Sequence, residues 1–146
     1  MRIGGERGLS VYTHRLRVRF YHTDGMQVTH HANYILWFEA ARVEFFRSVG
    51  VSLVDLMNDG YVFPILHVEC DYIHSSYYDD ELEVRLRLVK MTRAQMVFRY
   101  EVVRPADDTR ICTGLTKGTF TKSATGRISR MPMEYYTKFI PYVEAE

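Results

Sequence analysis

The amino-acid sequence predicts an α+β fold, a five-stranded antiparallel sheet curled around one long central helix. Three observations carry the prediction. Residues 33–49 are broadly apolar at helical spacing, with Tyr34, Trp37, Phe38, Ala41, Phe45 and Val49 in register and Leu36, Ala40, Val43 and Phe46 widening the stripe. Five strand-length runs surround it, one before the helix and four after. The later four are joined by short links, which favour antiparallel neighbours. A lone helix with so broad an apolar surface is best buried by a sheet that wraps it.

Each element has its own signature. Residues 1–12 read as a polar, glycine-containing leader that is partly mobile. Over residues 14–21, Leu16, Val18 and Phe20 alternate with Arg15, Arg17 and Arg19, a half-buried strand. The long helix follows, with Glu39 and Arg42 one turn apart as an expected structural ion pair and Gly50 as its stop signal. A short helix over 52–58 closes at Asp59-Gly60. Past Pro64, residues 65–73 put Leu66, Val68, Cys70 and Tyr72 on one strand face, and 75–80 form a polar, turn-like link. Residues 81–89 alternate most regularly, with Leu82, Val84, Leu86 and Leu88 against Glu83, Arg85 and Arg87. Residues 95–104 repeat the pattern through Met96, Phe98, Tyr100 and Val102. In the strand over 110–122, Gly114 and Gly118 share a face, which signals either the close approach of a neighbour or a bulge. Residues 133–146 are partly helical and broken by Pro141.

With 146 residues the chain suits a single domain. A net charge of +1 gives no footprint for nucleic acid, and the three N-terminal arginines at period two read as a solvated strand face. No run of 18 apolar residues offers a membrane span, and the N-terminus lacks a signal-peptide core, so a cytoplasmic location is the expectation. Cys70 and Cys112 read as free thiols in apolar strands rather than a disulfide.

The chemistry concentrates at the start of the long helix. Residues 21–42, YHTDGMQVTHHANYILWFEAAR, place Asp24, His30 and His31 on a polar loop that runs into it. The first turn of a helix has amide N–H groups without intrahelical partners and the positive end of the macrodipole, which would stabilise a carbonyl oxygen becoming an oxyanion. A carboxylate just upstream could attack that carbonyl carbon or activate water against it. The plain alternative is a carboxylate that caps the loop. Adjacent histidines and cysteines 42 positions apart make no metal-ligand pattern, and no G-x-S-x-G motif marks a serine nucleophile, so neither metal nor cofactor is expected.

Taken in order, Thr23, Asp24, Val28, His31, Ala32, Asn33 and Tyr34, then Phe38, Glu39 and Arg42 on the helix, resemble the 4-hydroxybenzoyl-CoA thioesterase-like branch of the hot-dog-fold thioesterases. Tyr78-Asp79-Asp80-x-Leu82 and Gly126-Arg127 extend the resemblance across residues 14–133. It implies a hot-dog fold, and an acyl-CoA or acyl-carrier-protein thioester as substrate, with aromatic and short-chain acyl groups both within the expectation. Asp24 is implied as catalytic nucleophile or general base, and His31 as a catalytic residue whose backbone N–H serves as oxyanion donor. Asn33 and Tyr34 are implied at the substrate, Arg93 at the phosphates of CoA, and a homodimer or homotetramer with the site at its interface. Two departures stand out: Gln27 where the family commonly has Gly, which predicts an altered loop backbone, and Thr29-His30 where it has a Val-aromatic pair. The rival readings are a hot-dog enoyl-thioester hydratase or dehydratase, and a non-catalytic acyl-CoA or acyl-carrier-protein binding module.

Overall fold

A computed structural model describes residues 11–144, so the 1–12 leader falls almost wholly outside the described residues. The chain forms β1 (Val11–Arg17), a 3-10 turn (Phe20–His22), α1 (Ala32–Ser48), α2 (Leu53–Asn58), β2 (Tyr61–Val62), β3 (Ile65–Tyr72), β4 (Glu81–Met91), β5 (Gln95–Arg104), β6 (Thr109–Thr119), β7 (Thr121–Lys122), α3 (Met133–Phe139) and a closing 3-10 turn (Ile140–Tyr142). Five strands make one antiparallel sheet in the order β1-β4-β5-β6-β3, and β2 with β7 form a separate two-stranded ribbon. This is the α+β, hot-dog arrangement, with α1 lying on one face of the sheet.

The inward face is built as the alternation requires. Leu82, Val84, Leu86 and Leu88 of β4 and Met96, Phe98, Tyr100 and Val102 of β5 are all buried, and they meet Tyr34, Trp37, Phe38, Ala41, Phe45 and Phe46 of α1. Apolar area removed from water, at roughly 25 cal/mol per Å², is the main force holding helix to sheet. Gly114 has a specific task. A Cβ there would lie 2.3 Å from a Phe38 ring carbon, and one at Gly118 would lie 2.4 Å from the Phe63 ring. Toward β5 the register runs unbroken past both glycines, and toward β3 it is regular at Gly114 but shifts between Ile65 and His67, opposite Gly118 and Lys117. Close approach therefore explains Gly114, while at Gly118 a close approach and an irregularity of the partner strand coincide. α1 ends where Gly50 takes a φ of +89°, and Ser52 caps α2 by accepting the Asp55 N–H.

Five expectations need correction. β1 starts earlier and stops at Arg17, because its partner β4 begins at Glu81, directly opposite. Tyr12 is therefore the buried residue, while Phe20, placed on the 3-10 turn, is 76% exposed. The link over 73–80 does not join neighbours. It carries the chain across the end of the sheet, past β6 and β5, from the edge strand β3 to β4. Being an edge, β3 leaves Leu66 63% and Tyr72 49% exposed, and the register shift between Ile65 and His67 takes Leu66 out of the alternation that Val68, Cys70 and Tyr72 keep. The run over 110–122 is two strands, since β6 ends at Thr119 and β7 turns away to pair with β2. Finally, Glu39 and Arg42 do not pair. Arg42 is buried and donates to the Tyr100 hydroxyl at 3.0 Å, while the helix ion pair is Glu44 with Arg47 at 2.5 Å.

Cys70 and Cys112 are free, the first half-buried and the second buried. Among the described residues no helix is long and apolar enough to cross a membrane.

Candidate active site at the start of the long helix

After β1 the backbone is clamped to the crossover: the Val18 N–H donates to Asp80 O and the Asp79 N–H to Val18 O, each at 2.9 Å. The 3-10 turn is then closed by its own side chains. His22 Nδ1 accepts the Arg19 N–H at 2.8 Å, which puts the ring proton on Nε2, and Thr23 Oγ1 donates to Phe20 O at 2.6 Å. Burial, with help from Arg19, holds the His22 imidazole below its ordinary pKa and so keeps that acceptor neutral.

Residues 23–29 make a small hairpin with Asp24 at its first corner. Thr23 bridges Thr29, Asp24 and Val28 share an N–H to carbonyl bond of 3.0 Å, and the Gln27 N–H donates to Asp24 O at 2.9 Å. The turn demands a left-handed residue, and Gln27 fills it with a φ of +67°. The absent glycine therefore changes the cost of the backbone and not its path. Asp24 is half-buried. Its Oδ1 accepts the Met26 N–H at 2.8 Å, an Asx turn that fixes the carboxylate, while Oδ2 accepts no hydrogen bond among the described residues.

The hairpin is fastened to α1 from both sides. Asn33 Nδ2 donates to His22 O at 2.9 Å and to His30 O at 3.2 Å, tying the strand that enters the loop to the one that leaves it. Thr29 Oγ1 and the Tyr34 hydroxyl both bond Ser76 Oγ, at 2.6 and 2.8 Å, and Ser76 lies fully buried under the crossover. Ser76 carries no signal in the sequence, and Thr29 stands out there only as a departure from the family pattern. A serine in a polar link reads as surface, and only the crossover of non-adjacent strands puts it inside.

At the helix start His30 serves as the cap, its Nδ1 accepting the Ala32 N–H at 3.1 Å. The N–H groups of Asn33 and Tyr34 turn back to His30 O and His31 O. The His31 N–H has no acceptor among the described residues, and its carbonyl takes the Tyr72 hydroxyl at 3.3 Å. The exposed imidazoles of His30 and His31 stack at 4.3 Å, and Tyr72 meets the His31 ring edge-on at 6.0 Å. An unpaired amide at the positive end of a 17-residue helix, with a carboxylate on the loop it anchors, can polarise a carbonyl and deliver a nucleophile to it.

Of the five residues expected at the site, the structure thus brings together Asp24, His31, Asn33 and Tyr34. Tyr34 is 3% exposed with its hydroxyl engaged, so its place is in the wall. Arg93 lies in the turn between β4 and β5, about 30 Å away along β4 at strand rise, where its Nε and Nη2 donate to Met131 O at 3.0 and 2.8 Å. Within one chain it does not share the Asp24 site. Among the described residues no group of three His, Cys, Asp or Glu side chains is arranged to hold a metal ion.

The sequence matches the thioesterase-like superfamily over residues 6–139. It is similar to a putative esterase of Aquifex aeolicus, 35% identical over 123 residues, which cover 84% of this chain and 93% of the relative. It is also similar to a putative acyl-CoA thioesterase of Bacillus subtilis, YneP, 23% identical over 124 residues that cover 85% and 86% of the two chains. Among solved structures, the DHNA-CoA thioesterase of Staphylococcus aureus superposes with a TM-score of 0.83 at 26% identity, covering 89% of this chain and 91% of that one.

Proposed function

Because the chain belongs to the thioesterase-like superfamily and is a thioester hydrolase at that level, we propose that it hydrolyses an acyl-CoA to the free acid and CoA with Asp24 as the catalytic carboxylate. The observation that carries this reading is that one hydrogen-bonded loop and helix start hold both an uncommitted His31 amide at the N-terminus of α1 and an Asp24 carboxylate held by one oxygen and open at the other.

In this mechanism the thioester carbonyl oxygen points at the His31 N–H, where the charge of the tetrahedral intermediate is stabilised. Asp24 either attacks the carbonyl carbon, expelling the CoA thiolate and leaving a mixed anhydride that water cleaves, or takes a proton from the attacking water. An acyl thioester suits so spare a site, since thiolate is a good leaving group and needs neither metal nor triad. Asn33 keeps the two ends of the loop in place, and Tyr34 supports its floor. Arg93, at the far end of the same chain, could meet CoA phosphates only from a second copy.

A second copy has a place to bind. β3 pairs with β6 on one side alone, and its other edge, with Leu66, Val68 and Tyr72 partly exposed, is open. Edge-to-edge pairing there gives a dimer, and two dimers a tetramer.

The test is thiol release from short-chain, long-chain and aromatic acyl-CoAs, the last class included because the S. aureus neighbour acts on DHNA-CoA. Wild type should turn over at least one class, and folded Asp24→Asn should lose about a hundredfold or more, the scale of a lost catalytic group. Label found in the Asp24 carboxylate after hydrolysis in ¹⁸O-water establishes the anhydride route, since water that attacks the aspartyl carbonyl of the anhydride leaves its oxygen there and the general-base route never does. Undiminished turnover by Asp24→Asn would refute the assignment.

A further inference from the structure

Arg42 is the one charged side chain buried among the described residues, at 9% exposure. Its hydrogen bond goes to a neutral partner, the Tyr100 hydroxyl, which is itself bonded to Thr116 Oγ1 at 2.6 Å. Burial pushes the Tyr100 phenol up, so it does not ionise to serve as counter-ion. No carboxylate of the described residues forms an ion pair with it, Glu39 included, although Glu39 lines the same pocket. Guanidinium cannot escape by losing its proton, so a charge without a carboxylate partner remains in a largely apolar wall, its nitrogens not held by Tyr100 still reached by solvent.

The pocket that Arg42 lines has a volume of about 250 Å³ and lies between α1, α2 and the start of β3, walled by Phe46, Leu53, Leu56, Phe63 and Ile65. At about 30 Å³ per water molecule that is room for roughly eight waters, or for one aromatic ring or a short aliphatic chain. Arg42 follows His31 by three turns, about 16 Å along the axis, so the pocket is separate from the helix-start site of its own chain.

We propose that this pocket binds a carboxylate carried on a compact apolar or aromatic body, with Arg42 as the anion receptor. The guanidinium N–H groups not taken by Tyr100 are the donors for the carboxylate, and the apolar walls of the open pocket take the body of the guest. Apolar body and anion both contribute: apart from Arg42, Glu39 and Tyr61 the lining is apolar, and a neutral guest leaves the charge without a counter-ion.

The experiment is calorimetric titration of the whole protein with benzoate and hexanoate, and with benzamide as the uncharged control. Benzoate should bind at least tenfold tighter than benzamide. Arg42→Met should weaken benzoate at least tenfold, and Leu53→Trp, which fills the pocket and leaves the cation in place, should do the same. Asp24→Asn should bind benzoate as wild type does, which separates this proposal from the hydrolytic one. Equal binding of benzoate and benzamide, no binding of either carboxylate at millimolar concentration, survival of binding in a folded variant of either pocket residue, or its loss in Asp24→Asn would each overturn it.

Discussion

At the scale of single residues, what matters at His31 is the backbone and not the ring. The exposed imidazole is stacked on His30, whereas the amide is free and helix-terminal. His31→Ala should therefore keep turnover within about tenfold of wild type, while His31→Pro, which the φ of −57° tolerates, should lower it by about a hundredfold to a thousandfold, as for removal of an oxyanion donor. Steady-state kinetics on both variants decides it, and equal losses would assign the work to the imidazole. Gln27 shows how far such detail was legible. A non-glycine was expected to redirect the loop, but the hairpin between Thr23 and Thr29 and its bonds to Ser76 hold Gln27 in the left-handed region. Asp24 and its helix were readable from local order. The Ser76 anchor was not, because it comes from a segment whose burial depends on distant strands.

Elements were legible in proportion to how local their causes are. The long helix and strands β4 and β5 sit within two residues of their expected bounds, since periodicity alone defines them. Strand order was not, because a short link can either turn between neighbours or, like residues 73–80, cross the sheet end. The two glycines of β6 were readable as a signal with two meanings, and at Gly114 packing decides between them. Phe38 stacks on Tyr100 at 4.3 Å and its ring has nowhere to retreat, so Gly114→Ala should destabilise the protein by about 1–3 kcal/mol. In the Gly114→Ala, Phe38→Leu double variant part of that loss should return, a coupling that denaturant melts would measure. Additive losses would show that the glycine serves the strand and not the helix contact.

For the molecule as a whole, two expectations follow from burial and edges. Burial holds the His14 imidazole below its ordinary 6.5, and His22 likewise. The unfolded chain then binds more protons as pH falls through about 6.5, so this part of the stability is present above that pH and lost below it. Melting temperature should drop between about pH 7.5 and pH 5, and less so in His14→Gln and His22→Gln; an unchanged drop in the double variant would place the cause elsewhere. The open edge of β3 makes the second expectation. Sedimentation should find wild type as a dimer or tetramer and Val68→Lys shifted to monomer, because an edge lysine opposes strand pairing; a monomeric wild type would refute the interface. The same strand order governs how a newborn chain folds. β4, β5 and β6 pair in succession through tight turns and can assemble as they emerge, whereas β1 must wait for β4, and β3 for β6. The apolar face of α1 leaves the ribosome when only β1, whose Tyr12 packs on Phe45, is there to cover it. Trp37, Phe38, Phe45 and Phe46 are thus largely bare until the meander closes over them, and chains halted before β6 are those most exposed to aggregation or to capture by a chaperone.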